Sequence, residues 1–499
     1  MPKYPIQVVY LAILLMILTA CSTNGATPTP ETSKLITPII ESTKQPDLLP
    51  TPTQMVESTL LPQYQVKALM NYDAGILDVT QVITFTNRSG VEIPDMILAV
   101  QPNRIQGVFK LVELSQDHQK VKNPQLEGQL LKWVPKSPLL PDQSTRIDLV
   151  FQLDLPEIQE ADPNVSRPQI FGISPSQVNL TDWYPMLVPY QAGEGWWLSD
   201  PWYYGEHLVY PLANFDVNLS FTDPSRSPVV AASTLAQPTM GGHRYVLTNG
   251  RGITLSISRK YRVPTTETNG VTVLSYFFPG DESAGQAVLD TTARAVKTFS
   301  SLFGQYPHKA ISAVQGDFKD GMEFDGLYFL SDPLYEQYDG TSNNYLTMIA
   351  AHETSHQWWF SRVASDQANH PWLDESLATY CEKIYYEINY PGSVRWWWAT
   401  RIDFYSPSGT IDGKVASYDG FLPYTNATYR MGARFLEDLR QAVGEEAFFV
   451  FLKDYASQLD GKIATQEDFF RILRLHSNAD IRAILAKYFS NSPANSGGN

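Results

Sequence analysis

The sequence predicts a multidomain chain, with an antiparallel β domain over residues 62–263 followed by an α+β domain over 264–490 whose last part is mostly helical. Two observations carry this. From Tyr64 to about Val263, short alternating runs are separated by Gly, Pro, Asn and Asp, the pattern of antiparallel strands. After about residue 264, strand-like apolar runs give way to stretches whose apolar residues recur at helical spacing. About 430 residues of such patterning suggest two or three domains, each with ample apolar content for a core. No internal repeat is present.

Residues 1–21 stand outside the fold. Lys3 gives a positive start, and an apolar run of fifteen residues, broken only by Gln7, leads to Leu18-Thr19-Ala20-Cys21. That run is short for a membrane span and right for a signal peptide. The small residues before Cys21 resemble a bacterial lipobox, which implies lipidation of Cys21 and an extracytoplasmic, membrane-anchored protein. An ordinary signal peptide with an incidental cysteine is the alternative. The other cysteine, Cys381, then has no disulfide partner and reads as a small buried hydrophobe. Residues 22–61 are rich in Thr, Pro and Ser and contain no aromatic residue, so they read as a disordered tether. The polar tail 491–499 reads as disordered too.

Within the β domain, Leu77–Asn87, Phe151–Leu155, Phe215–Phe221 and Ile253–Ser258 alternate and read as strands. Its middle is aromatic, with Trp183, Tyr184, Trp196, Trp197, Trp202, Tyr203 and Tyr204. Core and inter-domain packing is the favoured reading, and a substrate-facing surface is the other. In the second domain, Val271–Phe278 and Ala310–Val314 read as strands, and Ser283–Phe303 as a helix. A glycine-bracketed loop, D-G-M-E-F-D-G, centres on Glu323. Helices are expected over Tyr429–Val443, Glu445–Leu459 and, behind a Thr465-x-x-Asp468 cap, Phe469–His476. The formal charge is −15, from 37 Lys+Arg against 52 Asp+Glu. With no basic run, that argues against a nucleic-acid partner.

The chemistry concentrates in Ala350–Tyr380. His352 and His356 are four residues apart, which on a helix is about 400° of turn, so both imidazoles share one face. Two such histidines make two legs of a tetrahedral zinc site. Glu353 falls where a general base reaches a zinc-bound water. Glu375 lies nineteen residues past His356, room for one helix to end and another to begin. Two histidines and a glutamate leave a fourth position for water, the pattern of a catalytic zinc site with one ion per chain.

These residues resemble the membrane alanyl aminopeptidase family, zinc gluzincins that include leukotriene hydrolase. The resemblance rests on H-E-T-S-H-Q-W at 352–358, W-L-D-E at 372–375, D-G-M-E-F at 320–324 and Y-R-M-G-A at 429–433. It implies a saddle-like N-terminal β domain and a thermolysin-like catalytic domain. It also implies zinc on His352, His356 and Glu375, with Glu353 as base, Tyr429 facing the oxyanion and Glu323 holding the α-amine of a peptide substrate. Thr379, one turn past Glu375, is a candidate support for the metal site or an ordinary helix residue. Phe324 and Asp374 depart from the family pattern, where asparagine is usual at each. No long helical domain follows, so the resemblance implies an open site, as in short bacterial members. The function expected is that of a zinc aminopeptidase. An endopeptidase with the same zinc, or a silent surface-binding module using the aromatic β face, shares the same features.

Overall fold

The computed structural model describes residues 61–159, 169–318 and 321–491. The leader with Cys21, the tether up to residue 60 and the tail from 492 lie outside the described residues.

The largest sheet has eight strands and is built on Gln63–Asn71, Ile76–Thr86, Ser144–Asp154 and Ala213–Phe221. Side chains alternate strictly along Gln63–Asn71, with Tyr64, Val66, Ala68 and Met70 buried, as a strand with one face on the core requires. The sheet is not wholly antiparallel. Gln63–Asn71 pairs in parallel with Ala213–Phe221, from Gln63↔Asn214 to Met70↔Phe221. A parallel pair needs a long crossover, and everything between the two strands supplies it. Two four-stranded sheets pack in the same half, one of them containing Val178–Leu180 and Leu255–Ser258.

The second half opens on a five-stranded sheet. Val271–Tyr276, Ala310–Gly316 and Leu327–Ser331 run parallel. Met322–Phe324 pairs antiparallel to the last of them at the edge, with Glu323 opposite Tyr328. Glu323 therefore sits on an edge strand and not in a loop; ladder bonds to Leu327–Phe329 win over the flanking glycines. Helix Glu282–Phe303 buries Val288, Leu289, Val296 and Phe299 in the core of this half. Its spacing is the one expected, beginning one residue earlier. The capping box between Thr465 and Asp468 is formed, opening helix Gln466–His476.

Two apolar clusters join the halves and so fix the cleft between them. One puts Ile170, Ala231 and Tyr261 against Val314, Met322 and Phe329, and the other puts Tyr204 against Val415 and Tyr424. Arg251, buried, adds a polar clasp, donating to the carbonyls of Ser361 at 2.8 Å and Tyr210 at 2.6 Å. The aromatic cluster is thus divided. Trp183 and Tyr184 are core and Tyr204 is junction, whereas Trp202 and Tyr203 are 42% and 64% exposed.

Candidate active site

Helix Tyr345–His356 starts at Asn344, whose side chain accepts from the Thr347 amide at 2.8 Å, a regular N-cap. His352, Glu353 and His356 occupy its last turns and are buried. A single π-helical stretch, Gln357–Arg362, follows. Gln357 accepts from the Gly326 amide at 2.9 Å and donates to the Phe324 carbonyl at 2.9 Å. The helix end is thereby tied to the turn and edge strand that carry Glu323. The second helix, Trp372–Asn389, is buried over nearly its whole length and brings Asp374 and Glu375 under the first.

One ligand atom from each of His352, His356 and Glu375 falls within 4.8 Å of the other two. Glu375 Oε2 lies 3.3 Å from His352 Nε2 and 3.7 Å from His356 Nε2. It is buried and hydrogen-bonded to nothing described. Both Nδ1 atoms are occupied: His352 with Glu382 at 2.8 Å, His356 with Asp374 at 2.7 Å. Donation from Nδ1 leaves each neutral ring with its Nε2 lone pair turned on one spot. Glu382 is in turn held by Trp397 Nε1 at 2.8 Å and Arg401 Nη2 at 2.9 Å. Gln367 Nε2 holds Asp374 at 2.6 Å. Glu206, Glu323, Glu353 and Glu375 line the cavity, together with Arg401 and Arg430. Asp374 and Glu382 stand directly behind the histidines. So many buried carboxylates around two facing imidazoles fit a divalent cation, and this donor set suits zinc.

Titration reflects the crowding. Burial above all, then the charges of Glu323 and Glu375, push Glu353 well above the carboxylate range, against the pull of His352 and His356. Burial lifts Glu323 to about 7, opposed by His356 and reinforced by Glu375. Burial would lower His352, but the nearby carboxylates of Glu375 and Glu382 outweigh it and raise the imidazole to about 9.

Glu353 Oε2 is buried without a partner. A Cβ on Gly321 would come within 2.4 Å of Glu353 Oε1, so only glycine permits this approach. Tyr429 lies in the π-helical turn Asn426–Met431, one turn earlier than the regular helix expected over Tyr429–Val443, which begins at Gly432. Its ring stacks on His352, centroids 6.0 Å apart, and its hydroxyl donates to Glu375 Oε1 at 2.5 Å. A side chain at Gly432 would meet Ser376 Oγ at 2.0 Å. That glycine lets the turn press onto the second helix, where Ser376 donates to the Thr428 carbonyl at 2.7 Å.

Every sequence-predicted residue of the site lies in or against one cavity of about 320 Å³. A second cavity of about 480 Å³ shares Glu206 and Glu323 with it and runs between the two halves past Tyr184, Trp202, Tyr203 and Phe324. Thr379 Oγ1 has no hydrogen-bond partner among the described residues; Glu382, not Thr379, supports His352. Glu382, Gln367 and Arg401 were missed by sequence reasoning. So was Glu206, which lies with Glu323 and Glu375, one oxygen of each within 4.8 Å of the others. Periodicity held a signal for Glu382 alone, seven residues past Glu375 on the same helix face.

Comparison with known proteins agrees with this geometry. Over 246 residues the chain is 27% identical to mitochondrial aminopeptidase 2 of Saccharomyces cerevisiae, covering 46% of this chain and 25% of that protein. It is 26% identical over 238 residues to aminopeptidase M1 of Arabidopsis thaliana, covering 44% and 27%. The chain thus spans about a quarter of the length of these relatives. In fold it resembles an M1 zinc metallopeptidase from Deinococcus radiodurans, with a TM-score of 0.62 at 16% identity, covering 88% of this chain and 96% of that one. A mutant of that enzyme bound to the substrate Tyr-Ser-Ala gives 0.60 at 18% identity, covering 87% and 96%. Residues 287–488 match the Peptidase family M1 domain, a span that holds the two ligand helices, Glu353 and Tyr429.

Proposed function

We propose that this chain is a zinc-dependent metallopeptidase that removes N-terminal residues from peptides. The observation that carries the exopeptidase reading is the acidic group Glu206, Glu323 and Glu375, whose oxygens approach within 4.8 Å of one another beside the histidines. Such a concentration of negative charge in a buried cleft suits one part of a peptide, its α-ammonium. His352, His356 and Glu375 would hold zinc, which would supply a Lewis acid to acidify water and polarise a carbonyl. Glu353 takes the attacking water's proton and delivers it to the leaving amine; its buried Oε2, without a hydrogen-bond partner among the described residues, supports that role. Tyr429 donates to the oxyanion that develops on the substrate carbonyl. Glu206 and Glu323 fix the ammonium, which sets the cut one residue in.

A charge-assisted contact of this kind is worth about 1.5–3 kcal/mol, or roughly ten- to a hundredfold in specificity. N-acetylation of a peptide is expected to lower kcat/KM by that factor in the wild type, as is Glu323→Ala on the free peptide. The two together should cost much less than their sum, since each abolishes the same contact. Equal cleavage of free and acetylated peptides, at internal bonds, would replace this reading with the endopeptidase.

We infer in addition that Cys21 is lipidated and holds the enzyme at an extracytoplasmic membrane face, on the strength of Leu18-Thr19-Ala20-Cys21 after an apolar run. Cys21→Ser is expected to abolish labelling by radioactive palmitate and to move the protein out of the membrane fraction. An unlabelled wild type would refute the anchor.

A further inference from the structure

Arg430 follows Tyr429 in the turn Asn426–Met431 and lines the same cavity as His352, Glu353 and Tyr429. A guanidinium there is unexpected, because the surroundings are otherwise built to hold cations. It is only 6% exposed. Nη1 donates to Thr425 Oγ1 and Asn426 Oδ1, both at 2.9 Å. The guanidinium lies over the Tyr405 ring, 3.6 Å from its centroid, which fixes its plane. Nε is buried without a hydrogen-bond partner among the described residues.

The cavity is electrically polar, and the polarity gives Arg430 a task. On the His356 side stand Glu323 and Asp374, both bonded to Gln367, with Glu206 beside Glu323. On the His352 side stand Glu382 and Arg401, whose guanidinium is 6.0 Å from the Tyr429 ring centroid. Arg401 is committed, since its Nε and Nη2 both donate to Glu382. Arg430 is therefore the cavity-lining guanidinium whose charge no described carboxylate answers through a hydrogen bond or ion pair. Arg430 lies at this same end, next in sequence to Tyr429, which stacks on His352, and close enough to Arg401 for the two charges to repel; a peptide with its ammonium among the carboxylates carries its remaining residues past the histidines toward it.

We propose that Arg430 binds a carboxylate on the leaving-group side of the scissile bond. The preferred substrates are then very short peptides whose free C-terminus falls there, or peptides with an acidic residue just after the cut. The inference rests on the aminopeptidase reading, which supplies the direction of the chain. A planar guanidinium pre-set by stacking suits a carboxylate in two-point contact, which an ammonium cannot reproduce.

The test compares kcat/KM for Leu-Gly-Gly as free acid and as C-terminal amide, and for Leu-Asp-Gly-amide against Leu-Asn-Gly-amide. The wild type is expected to favour the carboxylate member of at least one pair by about tenfold or more, chiefly through KM. The pair that responds identifies the source of the carboxylate. Arg430→Gln should bring that ratio close to one, and Arg430→Lys should keep part of it. A wild-type ratio near one in both pairs would overturn the proposal, and this arm needs no variant to fold. A ratio unchanged in Arg430→Gln would do so as well, leaving Arg430 as a brace between Thr425 and Tyr405. Failure of the underlying reading looks different: acetylated peptides would then be cut as well as free ones, whatever their C-terminus.

Discussion

Glu353→Gln is expected to lower kcat by about 10²–10⁴, the usual contribution of a positioned general base, while zinc content stays near one per chain. The amide has nearly the shape of the carboxylate, so Gly321 still fits against it, yet it cannot accept and return a proton. Retention of metal is expected on the proposed assignment, in which His352, His356 and Glu375 are the donors and Glu353 is not among them. His352→Ala is the contrasting control. It removes one of three donors and leaves Glu382 and Arg401 facing a void, so it should lose metal along with activity. Metal analysis of the two purified variants beside their turnover distinguishes base from ligand. Loss of zinc in a folded Glu353→Gln protein would exchange the assignments.

Tyr429→Phe is expected to lower kcat by about 10²–10³, the cost of one oxyanion donor, with KM nearly unchanged. The structure adds a condition to this experiment. The Tyr429 hydroxyl donates to Glu375 Oε1, so its removal also loosens a metal donor, and losses of this kind typically weaken metal binding about 10–100-fold. Rates must therefore be measured at saturating zinc. A kcat deficit that persists there belongs to the oxyanion; one that zinc restores belongs to Glu375. Tyr424, whose ring centroid is 5.8 Å from that of Tyr429, is the matched control. Tyr424→Phe should change kcat far less, because its hydroxyl touches neither ligand.

What could be read from the chain alone is what local geometry enforces. Two histidines four apart on a helix face the same way wherever that helix is placed. The glycines that bracket Glu323 are legible as room for close approach, whereas the contacts of Gly321 with Glu353 and of Gly432 with Ser376 are not. Alternation along Gln63–Asn71 marks a half-buried strand, and the Thr465–Asp468 box marks a helix start, because both patterns are set by neighbours within a few residues. The three candidate metal donors and the base belong to this class through their spacing, whereas Tyr429 is reached through the family resemblance alone.

What tertiary structure alone decided is what separated segments do to each other. Gln63–Asn71 pairs in parallel with Ala213–Phe221, and no local pattern distinguishes that from an antiparallel partner. Met322–Phe324 forms an edge strand because Leu327–Phe329 offers it a ladder. Glu206 meets Glu323 close to where Tyr204 packs on Val415 and Tyr424. Support for His352 fell to Glu382 and not to Thr379, since only the longer side chain meets Nδ1. Arg430 became a cation in an acidic cavity when its turn was pressed onto the second ligand helix at Gly432. Motifs name the reacting groups because chemistry fixes their type and spacing. The charges that hold, orient and select around them come from distant segments, whose meeting depends on the burial of whole faces and leaves no mark at any one position.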